Sequence, residues 1–389
     1  MSASLGTEVL LPPASLGVVG GGQLGRMFIQ AAQRMGYRAV VLTDEADGPA
    51  AQVAHEVVKG KDDDLRTLQR FVTRVEAITV EFENVSSSAL RWLAARMPTR
   101  PDWRAVRISQ NRLREKMFLS RHGLPTAPWK PVRSDEELAL ALAEVGPPLI
   151  LKTASSGYDG KGQVRVDEPG QARPAWESLG RVPCVAEGVV RFSAELSVLV
   201  VRGRDGQMET FPVAMNRHER HILDATIMPA PVGPIVSQEA RDLARTVAEA
   251  MGYVGVLCVE FFLAGDGTLR VNEIAPRPHN SGHLTIEAAT TSQFEQQVRA
   301  LCGLPIGPTT LRSAAAMVNL LGDLWTDGPP DWSNALRTEP AASLHLYGKG
   351  AAPIGRKMGH LTVLDSDPEM ALARALAARQ ATGTGRTTG

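Results

Sequence analysis

The sequence predicts a multidomain protein that joins an α/β domain to α+β domains, and three observations predict it. At 389 residues the chain exceeds what one hydrophobic core organises, so two or three domains are expected. It opens with a strand, a glycine turn, a helix and a second strand over residues 16–44, the unit from which parallel sheets are built. Further on, two β-rich runs, residues 256–264 and 268–274, flank Asp266-Gly267. That dipeptide favours a tight hairpin because both positions tolerate positive φ, so an antiparallel sheet is expected there.

Composition narrows the function. Lys plus Arg and Asp plus Glu are both 42, so no global field draws the chain to nucleic acid or to an anionic membrane, and any phosphate site must be local. Cys184, Cys258 and Cys302 lack the paired spacing of a metal site or a disulfide framework; Cys258 reads as a packed thiol, and a reducing cytoplasm fits. The first residues lack the basic start and apolar run of a signal peptide, and no stretch approaches the ~20 apolar residues of a membrane span.

In chain order, residues 16–19 are a buried strand, Gly20-Gly21-Gly22-Gln23-Leu24-Gly25 the turn, and 26–35 a helix stopped by Gly36; residues 38–43 form the next strand, ending at Asp44. Gly20, Gly22 and Gly25 keep the dinucleotide-binding spacing, with Asp44 placed like a ribose-binding acid, which makes a nicotinamide dehydrogenase one hypothesis. Such a turn also accepts any phosphate, or simply packs closely. A helix near 65–73 and a strand at 77–80 continue the alternation and deliver Glu81 and Glu83 at the carboxyl end of the strand, where open α/β sheets bind ligands. A helix over 108–122, ended by Gly123 and followed by Pro125 and Pro128, marks the boundary.

Ser134 and Glu137 have capping-box spacing for a helix reaching Val145. Residues 148–153 are a buried strand carrying Lys152, followed by Gly157, Tyr158, Asp159, Gly160, Lys161, Gly162 and Gln163. The amides and ammonium of that loop can wrap a polyphosphate, although it is not a Walker loop. A strand at 182–188 ends at Glu187, with Glu195 eight residues on; such acids accept from ribose hydroxyls or an adenine amine. In the hairpin, a two-residue loop sets Glu260 opposite Glu273. Facing carboxylates repel unless a cation sits between them, and oxygen-only ligands suit Mg²⁺, which completes its shell with substrate phosphates. The alternative is an edge strand with two solvated acids. Arg277, His279, Asn280, Ser281 and His283 follow at once, in a loop of the kind that carries function. His218 and His221 do not read as a zinc pair, because no third ligand is spaced to join them.

GGGQLGRM at 20–27, EFEN at 81–84, GYDGKGQ at 157–163, NEIAPRPHNSGH at 272–283 and YGKGAAPIGRKMGH at 347–360 together resemble the ATP-grasp enzymes, and within them the 5-(carboxyamino)imidazole ribonucleotide synthase family. The resemblance implies the ATP-grasp fold, with a Rossmann-like N-terminal domain over residues 1–110 and a small lid subdomain over 111–192. A C-terminal mixed α+β domain with the metal and substrate sites then covers 193–367, and a partly disordered tail, with a helix at 368–380, covers 368–389. It implies ATP- and bicarbonate-dependent carboxylation of aminoimidazole ribonucleotide through carboxyphosphate, in purine biosynthesis, by a homodimer using Mg²⁺ or Mn²⁺.

Carried over residue by residue, ATP falls to Arg112, Lys152, the loop Gly157, Tyr158, Asp159, Gly160, Lys161, Gly162 and Gln163, then Glu187, Gly188, Val189, Val190, Glu195, His218, Asn272 and Glu273. Glu260 and Glu273 hold the metal. Gln23, Leu24, Glu83, Asn280, Lys349, Arg356 and Lys357 take the ribonucleotide, the basic cluster receiving its 5′-phosphate. Arg277 is the bicarbonate candidate, and Lys152 neutralises the transferring phosphoryl group. Biotin-dependent carboxylases, which share that arginine, place a glutamate base four residues later; this chain has Ser281 there, so His279 and His283 are the nearest candidates for the base. A second departure is Ser156 in place of a lid glycine, which restricts the backbone more. The rivals are a formate-dependent transformylase acting on glycinamide ribonucleotide, disfavoured by Asn280 where an acid is usual, the dehydrogenase, and a noncatalytic nucleotide-binding regulator.

Overall fold

A computed structural model describes residues 8–155 and 162–383, and within them the chain forms three sheets. The first is parallel, in the order Glu56–Lys59, Arg38–Thr43, Ser15–Val19, Ala77–Val80. Its strands are apolar on both sides because both sides are covered. Met27, Phe28 and Ile29 of the helix Gln23–Arg34 pack on one face, and Leu68, Phe71, Leu90 and Leu93 of Leu65–Val72 and Ser87–Ala94 on the other. The chain reverses direction across the sheet between Ser15–Val19 and Ala77–Val80, so a crevice opens beyond Val19 and Val80, beside the glycine turn and Glu81.

The second sheet is antiparallel, in the order Trp129–Val132, Cys184–Gly188, Leu149–Thr153, Gln163–Val166. Asp135–Glu144 and Ala172–Ser178 cover it. The expected capping box is half present: Ser134 Oγ accepts from Glu137 N–H at 3.3 Å, but the Glu137 carboxylate turns to Arg133 at 2.7 Å.

The third sheet has nine strands. From one edge it runs Leu269–Ala275, Gly255–Ala264, Phe192–Arg202, Ala214–Glu219, Ile222–Met228, Ala314–Leu321, Lys357–Asp365, Ser343–Leu346, with Met208–Thr210 added beside Phe192–Arg202. The C-terminal strands therefore continue the sheet that contains the hairpin.

Several boundaries move. The helix expected over 108–122 is two, Trp103–Ser109 and Arg112–Arg121, because the Asn111 side chain accepts from Arg114 N–H (3.1 Å) and starts a new helix. Leu119 and Leu124 pack into the core of the large sheet, while Lys116 pairs with Glu187 and Arg112 N–H donates to Ala154 O, so this helix joins the large sheet to the second one. The helix Pro368–Gln380 has the expected bounds and is built into the large sheet's core, with Ala371, Ala375 and Ala378 fully buried; residues 384–389 of the expected tail lie outside the described residues. After Leu284 come two helices, Thr285–Ala288 and Gln293–Cys302; Phe294, Val298 and Leu301 of the second are core. All three cysteines are free and buried, and no described helix is long and apolar enough to cross a membrane.

Candidate active site

Glu260 and Glu273 do face each other, by a different route from the one expected. Ala264 N–H donates to Thr268 O and Gly267 N–H to Ala264 O, both at 2.9 Å, which puts Gly265, Asp266 and Gly267 in the loop. Gly267 takes φ +85, as the last residue of such a loop requires. Leu263 consequently pairs with Leu269, one step out of the simple register, and a bulge that leaves Asn272 as the extra residue restores Glu260 against Glu273. Burial first and Glu273 second push the Glu260 carboxyl well above its usual range. An acid pair in that condition lacks positive charge. Arg112 Nη1 lies 3.6 Å from Glu273, and His279 Nε2 3.2 Å from Glu260. Among the described residues no group of three or more metal-binding side chains forms; facing carboxylates are the oxygen donors that suit a hard cation, which takes the rest of its shell from phosphate and water.

Glu187 lies buried at the end of Cys184–Gly188, its carboxylate held between Lys116 and Lys152. Burial alone would raise it; the two ammonium groups bring it down to about 2. Gly188 and Val189 follow it with their N–H groups donating to Pro128 and Pro148, and Val190 comes next. Glu195, opposite Phe262 of the hairpin, meets His218 Nδ1 from the adjoining strand. Burial would lower the His218 imidazole, but the Glu195 carboxylate raises it. Gly162 O accepts from Thr153 N–H at 2.8 Å, and Gln163 pairs with Lys152. Ser156, Gly157, Tyr158, Asp159, Gly160 and Lys161 lie outside the described residues.

Replacing Glu187 with glutamine leaves Lys116, whose side chain is 3% exposed, without its counter-charge; the expected cost is about 3–5 kcal/mol of stability. The folded carboxyl titrates below the unfolded one, so its contribution is present above the ordinary carboxylate range and is lost as pH falls toward 2. Denaturant midpoints from pH 7 down to 3 should therefore fall more steeply for the parent than for Glu187→Gln; parallel curves would refute the assignment.

The glycine turn is already filled. Glu81 Oε1 accepts from Gly22 N–H at 2.5 Å and Oε2 from Gly25 N–H at 2.8 Å, so amides that would hold a pyrophosphate hold an internal carboxylate. A Cβ on Gly22 would stand 2.8 Å from that carboxylate, and Gly20 takes φ +116: the glycines serve the approach of Glu81. This overturns the dehydrogenase reading.

Beside the turn lies a cavity of about 420 Å³, lined by Gln23, Asp44, Lys61, Glu81, Phe82, Lys349 and Arg356 among others. Lys349 Nζ donates to Lys357 O at 2.7 Å, and burial, then Arg356, lower its ammonium to about 8. Gln52 Nε2 donates to Gly348 O at 2.7 Å and ties this basic loop to the first domain. Of the residues assigned to the ribonucleotide, Gln23, Lys349 and Arg356 meet in the cavity. Leu24 packs toward the first-domain core, and Lys357 contributes its carbonyl to Lys349. Asn280 is 8% exposed, with both amide atoms unpartnered.

Arg277 bridges the two regions. Its Nε donates to Glu83 Oε2 at 2.5 Å and its Nη2 to Glu83 Oε1 at 3.2 Å, joining the strand end of the first sheet to the loop after the hairpin. Burial would raise the Glu83 carboxyl, but Arg277 holds it below its usual range. Ser281, fully buried, takes a hydrogen bond from Ser197 Oγ and meets His279 Nδ1, each at 2.8 Å. Burial keeps both His279 and His283 well below 6.5, hence neutral at pH 7. They are not equivalent: His279 borders Glu260, whereas His283 is fully buried against Phe294, Tyr347 and His360.

Two buried residues were not singled out from the sequence. Lys116 pairs with Glu187 and donates to Asn272 O at 3.2 Å; Glu115 Oε1 accepts from Ile274 N–H at 2.7 Å, and burial and Glu273 raise it to about 8. Their signal was helical spacing, since residues 112, 115, 116 and 119 share one face.

Family models match the chain over residues 14–110 (ribonucleotide synthetase preATP-grasp domain), 117–294 (ATP-grasp domain) and 315–374 (phosphoribosylaminoimidazole carboxylase C-terminal domain). An N5-carboxyaminoimidazole ribonucleotide synthase of Brucella melitensis is 44% identical over 356 residues, 91% of this chain and 97% of the relative. Among solved structures, the ADP complex of an N5-carboxyaminoimidazole ribonucleotide synthetase superposes with a TM-score of 0.90 at 39% identity, covering 96% of this chain and 98% of the other. The Aspergillus clavatus N5-carboxyaminoimidazole synthase, solved with ADP and 5-aminoimidazole ribonucleotide, gives 0.86 at 33%, covering 95% and 98%. With the acid hairpin, the two-lysine strand end and the cavity at the glycine turn in place, the chain belongs to the N5-carboxyaminoimidazole ribonucleotide synthase family of ATP-grasp enzymes.

Proposed function

We propose that the protein is an ADP-forming ligase that carboxylates the exocyclic amine of 5-aminoimidazole ribonucleotide with ATP and bicarbonate. The observation that carries this is the Glu83–Arg277 bridge, which joins the strand end beside the cavity of Lys349 and Arg356 to the loop after the acid hairpin and so offers a guanidinium for bicarbonate. A bicarbonate on Arg277 faces phosphoryl chemistry on one side and a ribonucleotide on the other.

In this reading the nucleotide lies between the Lys152 strand end and the hairpin, with Lys152 released from Glu187 toward the phosphates. Glu260 and Glu273 would hold Mg²⁺, which when bound neutralises charge on the phosphoryl oxygens. The bicarbonate oxygen attacks the γ-phosphorus as the bridging bond to ADP breaks. The resulting carboxyphosphate releases CO₂ and phosphate, and the amine lone pair captures CO₂ with loss of one proton. His279, neutral and bordering the hairpin acids, is the nearer acceptor for that proton. Closure of the site against water protects both intermediates.

ADP release from Mg-ATP and bicarbonate should be stimulated by aminoimidazole ribonucleotide. Stimulation instead by glycinamide ribonucleotide with formate would move the function to transformylation; silence with both would leave a noncatalytic nucleotide binder.

A further inference from the structure

The motifs at 272–283 and 347–360 each end in a histidine that the proposed chemistry leaves unused, and in the fold these two ends meet. The rings of His283 and His360, both fully buried, have centroids 5.0 Å apart. His345 stacks on His360 at 4.4 Å, almost parallel, and its Nε2 lies 2.6 Å from Glu287 Oε1. The Tyr347 hydroxyl, also buried, lies 2.9 Å from His360 Nδ1.

Strand register explains the meeting. His345 faces His360 across one ladder and Asn319 faces it across the other, so all three lie in one row on the sheet. His283 and Glu287, four residues apart, come from the segment that starts at Asn280, just after Arg277. Tyr347 and His360 bracket the loop that bears Lys349 and Arg356, and the Lys349 ammonium lies 5.6 Å from the centre of the Tyr347 ring. Meanwhile His283 Nε2, His360 Nε2, Glu287 Oε2 and Asn319 Oδ1 are buried without a hydrogen-bond partner. Such orphaned atoms cost stability that apolar side chains in the same space would not, so the cluster is not explained by packing alone.

We propose that His283, His360 and Tyr347, with the His345–Glu287 pair, are positioning residues that lock the basic loop 347–357 onto the segment after Arg277 and thereby hold Lys349 and Arg356 for the ribonucleotide phosphate. The inference rests on the reading of that cavity as the ribonucleotide site. The lock acts on one substrate only, since none of the residues assigned to ATP belongs to the cluster.

Tyr347→Phe removes only the hydroxyl and His360→Gln only the ring; both are made in the full chain. Hydrogen exchange of the amides of 347–357 should quicken by about fivefold or more in each, with Gly255–Ala264 unchanged. The KM for aminoimidazole ribonucleotide should rise by about fivefold to tenfold while that for ATP stays within about twofold. Unchanged exchange in both variants would overturn the lock. Faster exchange with the two KM values moving together, or not at all, would overturn its positioning role. A parent protein that ignores aminoimidazole ribonucleotide would instead overturn the proposed function, and the exchange data would still decide whether the lock exists.

Discussion

Glu273→Gln should abolish turnover and leave the protein at least as stable as before. Glu273 stands on an edge strand with its side chain 40% exposed, opposite a Glu260 carboxyl that its charge pushes up. A neutral amide of the same shape keeps the ladder and removes the repulsion, so the thermal midpoint holds or rises slightly. The reaction, by contrast, loses half of the proposed cation site. Removing a group that stabilises transition-state charge costs about 10²–10³ in rate, and losing the cation as well brings the expected loss to about 10³ or more. ADP release measures the first effect, thermal denaturation the second, and Mn²⁺ binding followed by electron paramagnetic resonance reports the site without turnover. Normal activity in the variant would sink the assignment of the acid pair to a cation.

Arg277→Lys is expected to lower kcat/KM for bicarbonate by about 10²–10³, with the KM for ATP little changed. Lysine keeps the charge but not the planar fork, and the fork is what grips Glu83 through two nitrogens, at 2.5 and 3.2 Å. The substitution therefore separates charge from geometry. A bicarbonate titration decides the matter: an unaltered curve would remove Arg277 from the anion site and leave the Glu83 bridge a purely architectural link.

Much of the fold was legible locally. The opening strand, turn and helix, the helix Pro368–Gln380 and the hairpin all follow from periodicities and turn residues within a few positions of one another. The opposition of Glu260 and Glu273 is legible in the sequence but its route is not: a three-residue loop displaces the register and the Asn272 bulge restores it, and no spacing rule reports a bulge. The fingerprint at Gly20, Gly22 and Gly25 shows the opposite case: the local pattern specifies the turn, while its occupant, the Glu81 carboxylate, comes from a strand end about sixty residues away.

Residue order alone thus settled the kinds of element, the acid-bearing hairpin, the lysine strand and the basic C-terminal loop, because each depends on neighbours in the chain. Which polar groups meet was decided by folding: Glu83 with Arg277, separated by 194 residues, Glu115 with the Ile274 N–H by 159, and His283 with His360 from two distant motifs. The reason is that a carboxylate or imidazole takes its charge state from burial and from partners a few ångströms away, and those partners are supplied by strand order and packing, which no local pattern encodes.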